Sequence, residues 1–250
     1  MKHKINLGFL LLGVFVTMLF FNNAPFFLPL LLFILVLYFL ILSAGVLFLR
    51  FNYFLKSNSK VKPPYVLLSF DDGPHPVLTP KILETLKVHN VKAVFFVVGL
   101  KAEKYPEIIH QIVAEGHLVG NHTYTHHPLF AMYSMEKVHI EITKNAELLK
   151  KLTGSELQLF RPPIGYTNPK IARVVKKLGV NVIGWNVRSY DTIIHNPIKL
   201  KNRVLKLTKP GSIILFHDTL PQTQQMLDAY IIDAKQNGII FANDSHLNLL

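Results

Sequence analysis

The hydrophobic pattern of this chain changes once, near residue 64. Before that point apolar residues run on without a polar face. Ile5 to Phe21 is broken only by Asn6, Gly8, Gly13 and Thr17, and Phe26 to Leu49 holds 24 residues without a charge. Roughly 20 apolar residues cross a bilayer, and a buried core helix would keep a polar face, so the second run predicts a transmembrane helix. The first is shorter and has the length of a signal-peptide core. The two are separated only by Asn22-Asn23-Ala24-Pro25, which reads as a tight turn rather than a cleavage site. The pattern therefore predicts a two-span membrane anchor over residues 1–50, followed by a linker over 51–64.

From Tyr65 onward short β-branched or aromatic runs alternate with helical periodicity. Strands are expected at 65–70, 93–98, 117–120, 157–160, 180–187, 212–216 and 238–242, and helices at 78–90, 104–115, 134–152, 168–178, 198–208 and 222–236. Thr79-Pro80 and Asn168-Pro169 look like helix starts, and Gly116, Gly154, Gly179 and Gly211 stand where helices should stop. Such alternation implies right-handed crossovers and a parallel sheet. Residues 65–250 thus form one α/β domain, whose seven strands either close into a small barrel or lie open.

Charge sharpens the membrane reading. The net charge is +12, yet every acidic residue lies at or beyond Asp71, leaving Lys2, Lys4, Arg50, Lys56, Lys60 and Lys62 alone in the first seventy residues. With two spans, the basic flanks fall on one side, which the positive-inside rule makes the cytoplasm. Beyond residue 70 basic and acidic residues are interspersed, which argues against a nucleic-acid partner. The chain has no cysteine, which excludes disulfides, thiolate metal sites and a cysteine nucleophile.

Unusual polar residues follow the expected strands. Asp71 and Asp72 come after the first, Asn121 to His126 after the third, Arg161-Pro162-Pro163 after the fourth, Asp191 beyond the fifth, and His217-Asp218 at the sixth. Active sites of parallel α/β folds form at the carboxyl ends of strands. His122 and His126 are spaced i, i+4, which in a helical turn puts both rings on one face. With one carboxylate they make a two-His, one-carboxylate metal set with open positions. Of the adjacent aspartates, one can bind the ion while the other acts as base toward its water; the ion's charge removes their mutual repulsion.

The ordered set "SFDDGP", "HTYTH", "FRPPIG", "WNVRSYD" and "LFHD" closely resembles the polysaccharide deacetylases of the NodB-homology type, carbohydrate esterase family 4. The resemblance runs from about Tyr65 to the C-terminus. It implies a distorted (β/α)7 barrel that removes N-acetyl groups from amino sugars of a glycan, peptidoglycan or chitin-like. By position, Asp71 matches the base, Asp72, His122 and His126 the metal ligands, and Arg161 the partner of the base. Asp191 matches the residue orienting the catalytic acid, His217. Leu215 matches the pocket for the acetyl methyl, with Pro163, Ile164 and Trp185 on the substrate side and a backbone N–H near Pro163-Ile164 for the oxyanion. The implied cofactor is a divalent ion, zinc first, with cobalt, nickel or manganese as alternatives.

Ile164 stands where the family often has an aromatic residue, and Thr192 where it often has Trp; both bear on sugar preference. His127 reads as a supporting or surface residue, and His89, His110, His139 and His246 as solvated. The basic flanks favour a second substrate, a polyprenyl-phosphate-linked N-acyl amino sugar deacetylated or deformylated at the cytoplasmic membrane face. A non-catalytic sugar-binding protein would have lost a ligand or the base, and none is missing.

Overall fold

The computed structural model of the chain describes residues 2–156 and 158–243; Leu157, at the start of the fourth expected strand, and His246 lie outside them. Helices α1 (Lys2–Phe21) and α2 (Phe27–Leu47) form the expected hairpin, both long and apolar enough to cross a membrane. The Lys2 ammonium donates to the carbonyl of Phe51, just past α2, so the two basic flanks meet at one end. Residues 51–64 run back along the domain, with Tyr53 buried against Gly45 of α2 and Asn58 and Lys60 bridging to Ile183 and Ser212.

The domain is a curled sheet of parallel strands wrapped by helices. Along the chain come β1 (Tyr65–Gly73), α3 (Leu78–Val88), β2 (Ala93–Val97), α4 (Gly99–Lys104), α5 (Pro106–Ala114), β3 (Leu118–Asn121), α6 (Met135–Thr153) and β4 (Leu159–Phe160). There follow α7 (Pro169–Leu178), β5 (Asn181–Val182), β6 (Val187–Arg188), α8 (Pro197–Leu207), β7 (Ile213–His217), α9 (Pro221–Gln236) and β8 (Ile240–Phe241). The strand order is β5-β4-β3-β2-β1-β7-β6, with β8 beside the start of β1. Successive strand residues face opposite sides. In β1, Val66, Leu68 and Phe70 pack outward under the helices, while Leu67 joins Val94, Phe96 and Ile213 inside the curl. Each fully buried apolar side chain of this kind contributes about 1.5–3 kcal/mol. The inward set continues 67, 69, 71, so the same period that buries Leu67 delivers Asp71 to the mouth of the barrel.

Three expectations are corrected. The run 180–187 is not one strand: β5 pairs with β4 at one edge of the sheet and β6 with β7 at the other, so this segment crosses between the two edges of the curled sheet. It breaks because the carbonyls of Ile183 and Gly184 accept from Arg161 Nε and Nη2, each at 2.9 Å. Gly184 also lies against Ser59, where a Cβ would meet Oγ at 2.3 Å. Thr79 does not cap α3; His75 Nδ1 accepts from the Val77 and Leu78 amides instead, leaving the Thr79 hydroxyl to donate to Asp218. A further helix, α4, fills the stretch after β2, and Pro106 separates it from α5. Other boundaries agree with the local chemistry. Asn168 caps α7 by accepting from the Ile171 amide, and Gly154 and Gly179 close α6 and α7 in the left-handed region.

Candidate active site

Asp72 is an inserted residue. Asp71 stands opposite Phe96 and Gly73 opposite Val97, so Asp72 bulges out of the ladder with φ 71°. A bulge re-aims one side chain without disturbing the strand on either side, and Asp tolerates the left-handed region better than most residues. The adjacent carboxylates therefore diverge. Asp71 stays in register, opposite His217 of β7, and Asp72 turns toward the histidines.

His122 and His126 converge, but not on a helix. The loop after β3 is irregular, with Thr123 at φ 66° and His126 at φ 51°. Their ring centroids are 4.7 Å apart, and Asp72 Oδ1 lies 3.4 Å from His122 Nε2 and 3.1 Å from His126 Nε2. Buried polar residues of α6 hold this loop. Asn145 Nδ2 donates to the carbonyls of Val97 and Thr123 and to Asn121 Oδ1, while the Glu141 carboxylate accepts from the Thr125 amide and hydroxyl. Neither residue was picked out from the sequence. The signal was there: 141 and 145 are polar positions on the helix face that buries Val138, Ile142 and Leu149.

The donor chemistry of this trio fits a divalent ion. One ligand atom from each of Asp72, His122 and His126 lies within 4.8 Å of the others. His122 Nδ1 sits 2.7 Å from the Arg161 carbonyl; donating there leaves the Nε2 lone pair for a metal. Burial and the neighbouring His122 lower the pKa of His126, favouring the neutral ligand form. Burial raises Asp72, but the hydrogen bond and charge of His122, with His126 and His217, more than reverse it and keep the group an anion.

Behind the trio sits a buried ion pair. Arg161, fully enclosed, donates from Nη1 to Asp71 Oδ1 at 2.6 Å and to Ser69 Oγ at 3.0 Å, and its guanidinium lies 4.0 Å over the Phe96 ring. Burial pulls Arg161 below its ordinary pKa against the opposing pull of Asp71. Asp71 Oδ2 remains 3.7 Å from His122 Nε2.

On the neighbouring strand β7, His217 Nδ1 pairs with Asp191 Oδ1 at 2.8 Å, while Asp191 Oδ2 accepts from the His217 amide and the Thr223 hydroxyl. Burial alone would lower the His217 imidazole. The Asp191 hydrogen bond and the charges of Asp191, Asp71 and Asp72 instead push it up to about 9.

Asp71, Asp72, His122, His126 and His217 line a cavity of about 220 Å³, together with Leu215, Ile164, Trp185, Arg188 and Thr192, with Arg161 and Asp191 buried behind them. Ile164 adopts φ 62°, and Gly165 lets Trp185 approach where a Cβ would meet its ring at 2.4 Å. Pro163 is buried in the same turn and does not reach the cavity wall. Of the remaining histidines, His89 is not solvated but pairs with Asp228 at 2.7 Å, His110 is exposed, and His127 packs on Tyr133.

A curled parallel α/β half-barrel with an Asp-His-His cluster, a buried Arg–Asp pair and a His–Asp pair at its strand ends defines a hydrolase-like class of site. The family model for polysaccharide deacetylase matches residues 58–183, and the chain belongs to that family. It is 38% identical over 180 residues to a peptidoglycan-N-acetylglucosamine deacetylase of Bacillus cereus, a match spanning 70% of this chain and 65% of that protein. It is 37% identical over 157 residues to a chitooligosaccharide deacetylase of Azorhizobium caulinodans, spanning 62% of this chain and 74% of the relative. The crystal structure of the Bc1960 peptidoglycan N-acetylglucosamine deacetylase, in complex with 4-naphthalen-1-yl-N-oxidanyl-benzamide, aligns with a TM-score of 0.71 at 34% identity over 77% of this chain and 92% of that one.

Proposed function

We propose that this chain is a membrane-anchored, metal-dependent N-deacetylase of an amino sugar in a glycan such as peptidoglycan or a chitooligosaccharide. The observation that carries the reading is the meeting of three charged units at one cavity: Asp71–Arg161, Asp72–His122–His126 and His217–Asp191. The names of the relatives support the substrate class.

Asp72, His122 and His126 would hold the ion, zinc first. When bound, it supplies Lewis-acid polarisation of the amide carbonyl and acidification of water. Asp71 takes the proton of the attacking water on Oδ2, the oxygen that Arg161 leaves free. Arg161 donates to Asp71 Oδ1 and so fixes the plane of the carboxylate. His217, bonded to Asp191 through Nδ1, delivers the Nε2 proton to the departing amine, which an amide needs because its nitrogen leaves poorly as an anion. Leu215 and Trp185 give the acetyl methyl and the sugar an apolar wall.

The metal assignment is tested by calorimetric titration of Zn²⁺ and Co²⁺ into the chelator-treated chain. One ion per chain is expected, lost in Asp72→Ala; tight binding that survives Asp72→Ala would remove it from the ligand set.

The acid assignment gives a pH prediction. With its folded pKa raised to about 9, His217 stays protonated through neutrality, and activity should fall as pH rises through about 9. The stabilising contribution of the His217–Asp191 pair has the same sign. It is fully present below the unfolded histidine value of ~6.5 and is lost as pH rises through about 9. Asp191→Asn should move the alkaline limb of kcat down toward ~6.5; an unmoved limb would detach it from His217.

One observation favours a lipid-linked substrate as the second reading. The Thr167 amide and hydroxyl donate to the carbonyls of Val46 and Gly45 in α2. Ile164, on the cavity wall, is thus three residues along the chain from a contact with α2.

A further inference from the structure

A second cavity, of about 250 Å³, lies at the seam between the end of α2 and the barrel, and it shares Trp185 and Arg188 with the active-site cavity. Leu47 to Arg50 contribute from the hairpin side, and Tyr190 and Arg203 from the domain. Three arginines therefore line one small space. The guanidinium carbons of Arg188 and Arg203 lie 5.3 and 4.8 Å from the Tyr190 ring centroid, contacts that hold the side chains in place while leaving most N–H groups unused. Among the described residues, none of Arg50, Arg188 and Arg203 is within ion-pair distance of a carboxylate. The buried Nε of Arg203 has no hydrogen-bond partner.

Three uncompensated guanidiniums in one cavity repel one another, and a buried N–H without an acceptor is destabilising. An anion with several oxygens relieves both. Guanidinium forks match phosphate oxygens in pairs. The surroundings say what else the anion carries. One wall is the end of an apolar membrane helix, so an acyl or prenyl chain attached to the phosphate can follow α2 into the bilayer. The other wall is formed by Trp185 and Arg188, which also line the active-site cavity, where a sugar attached to the same phosphate would sit.

We infer that Arg50, Arg188 and Arg203 bind the phosphate or diphosphate of a lipid-linked N-acyl amino sugar, placing its sugar in the active-site cavity. This rests on the deacetylase reading above and narrows it to an amphiphilic substrate held at the membrane surface. A neutral soluble oligosaccharide leaves the arginine cavity unused.

The test uses the full-length chain in detergent, loaded with zinc, and the variant Arg50→Gln/Arg203→Gln, which alters neither the metal trio nor the acid–base pair. Two substrates carry the same sugar: a chitooligosaccharide and farnesyl-diphosphate-linked N-acetylglucosamine. Binding of farnesyl diphosphate alone is read from the fluorescence of Trp185, the sole tryptophan. The variant should raise KM for the diphosphate substrate and weaken farnesyl diphosphate binding by roughly tenfold or more, with the chitooligosaccharide kinetics unchanged. Equal losses on both substrates, or none on either, would overturn the inference. So would displacement of farnesyl diphosphate by phosphatidylglycerol vesicles or inorganic pyrophosphate at matching phosphate concentrations, which would assign the cavity to bilayer headgroups or to free anions. If neither substrate is deacetylated but farnesyl diphosphate still binds through the arginines, the anion site stands and the deacetylase reading falls. Turnover of both substrates without arginine dependence overturns this inference alone.

Discussion

Replacement of Asp71 by Asn should lower turnover about 10²–10⁴-fold while leaving the metal affinity in place. The carboxamide is nearly the same shape, and its oxygen still accepts from Arg161 Nη1, which now sits 2.6 Å from Asp71 Oδ1. What it lacks is basicity. Asp72, His122 and His126 are untouched, so the ion should bind as before. Stability should fall as well, because Arg161 is fully buried and loses its counter-charge. The assay is therefore run well below the melting temperature, with metal content measured on the same sample. An Asp71→Asn protein that keeps wild-type turnover would remove Asp71 as the base; one that loses the metal would make it a ligand.

The second large effect is structural. Arg161→Gln should destabilise the domain by about 3–5 kcal/mol, the usual result of breaking a buried ion pair. Arg161 joins four acceptors on two segments: Asp71 and Ser69 on β1, and the carbonyls of Ile183 and Gly184 between β5 and β6. Its loss strands Asp71 without a partner inside the curl and leaves two carbonyls unpaired where the chain crosses between the sheet edges. Lys should not rescue it, since a point charge cannot reach four acceptors set around a planar fork. Urea unfolding, followed by far-ultraviolet circular dichroism, gives the difference. A loss below about 1 kcal/mol, the range of an exposed ion pair, would contradict the role given to Arg161 in tying β1 to the crossing at Ile183-Gly184.

Arg161 also marks where the sequence stops being legible. The runs 65–70, 93–98 and 212–216 carry their own period, and each is a strand. The run 180–187 carries the same chemistry, yet its central carbonyls are claimed by a guanidinium 22 residues earlier, and no local pattern encodes that claim. The histidines show the converse. Their spacing suggested a helical turn, whereas their convergence depends on left-handed residues at Thr123 and His126 and on Asn145 and Glu141 reaching across from α6. The residues of the site were legible because chemistry restricts their identity; the scaffold that aims them was not, because it is built from long-range hydrogen bonds. The same holds for the arginine cavity. Arg50, Arg188 and Arg203 are scattered over more than half of the chain, and only the docking of α2 against the domain brings them together.

The most direct test of the account is acetate release from N-acetylglucosamine oligomers and from lipid-linked N-acetylglucosamine by the full-length chain. It is measured as purified, after chelation, and after zinc is restored. The account predicts release that disappears with the metal and returns with one equivalent of it. Release indifferent to the metal, or no release from either substrate with the metal bound, would contradict it.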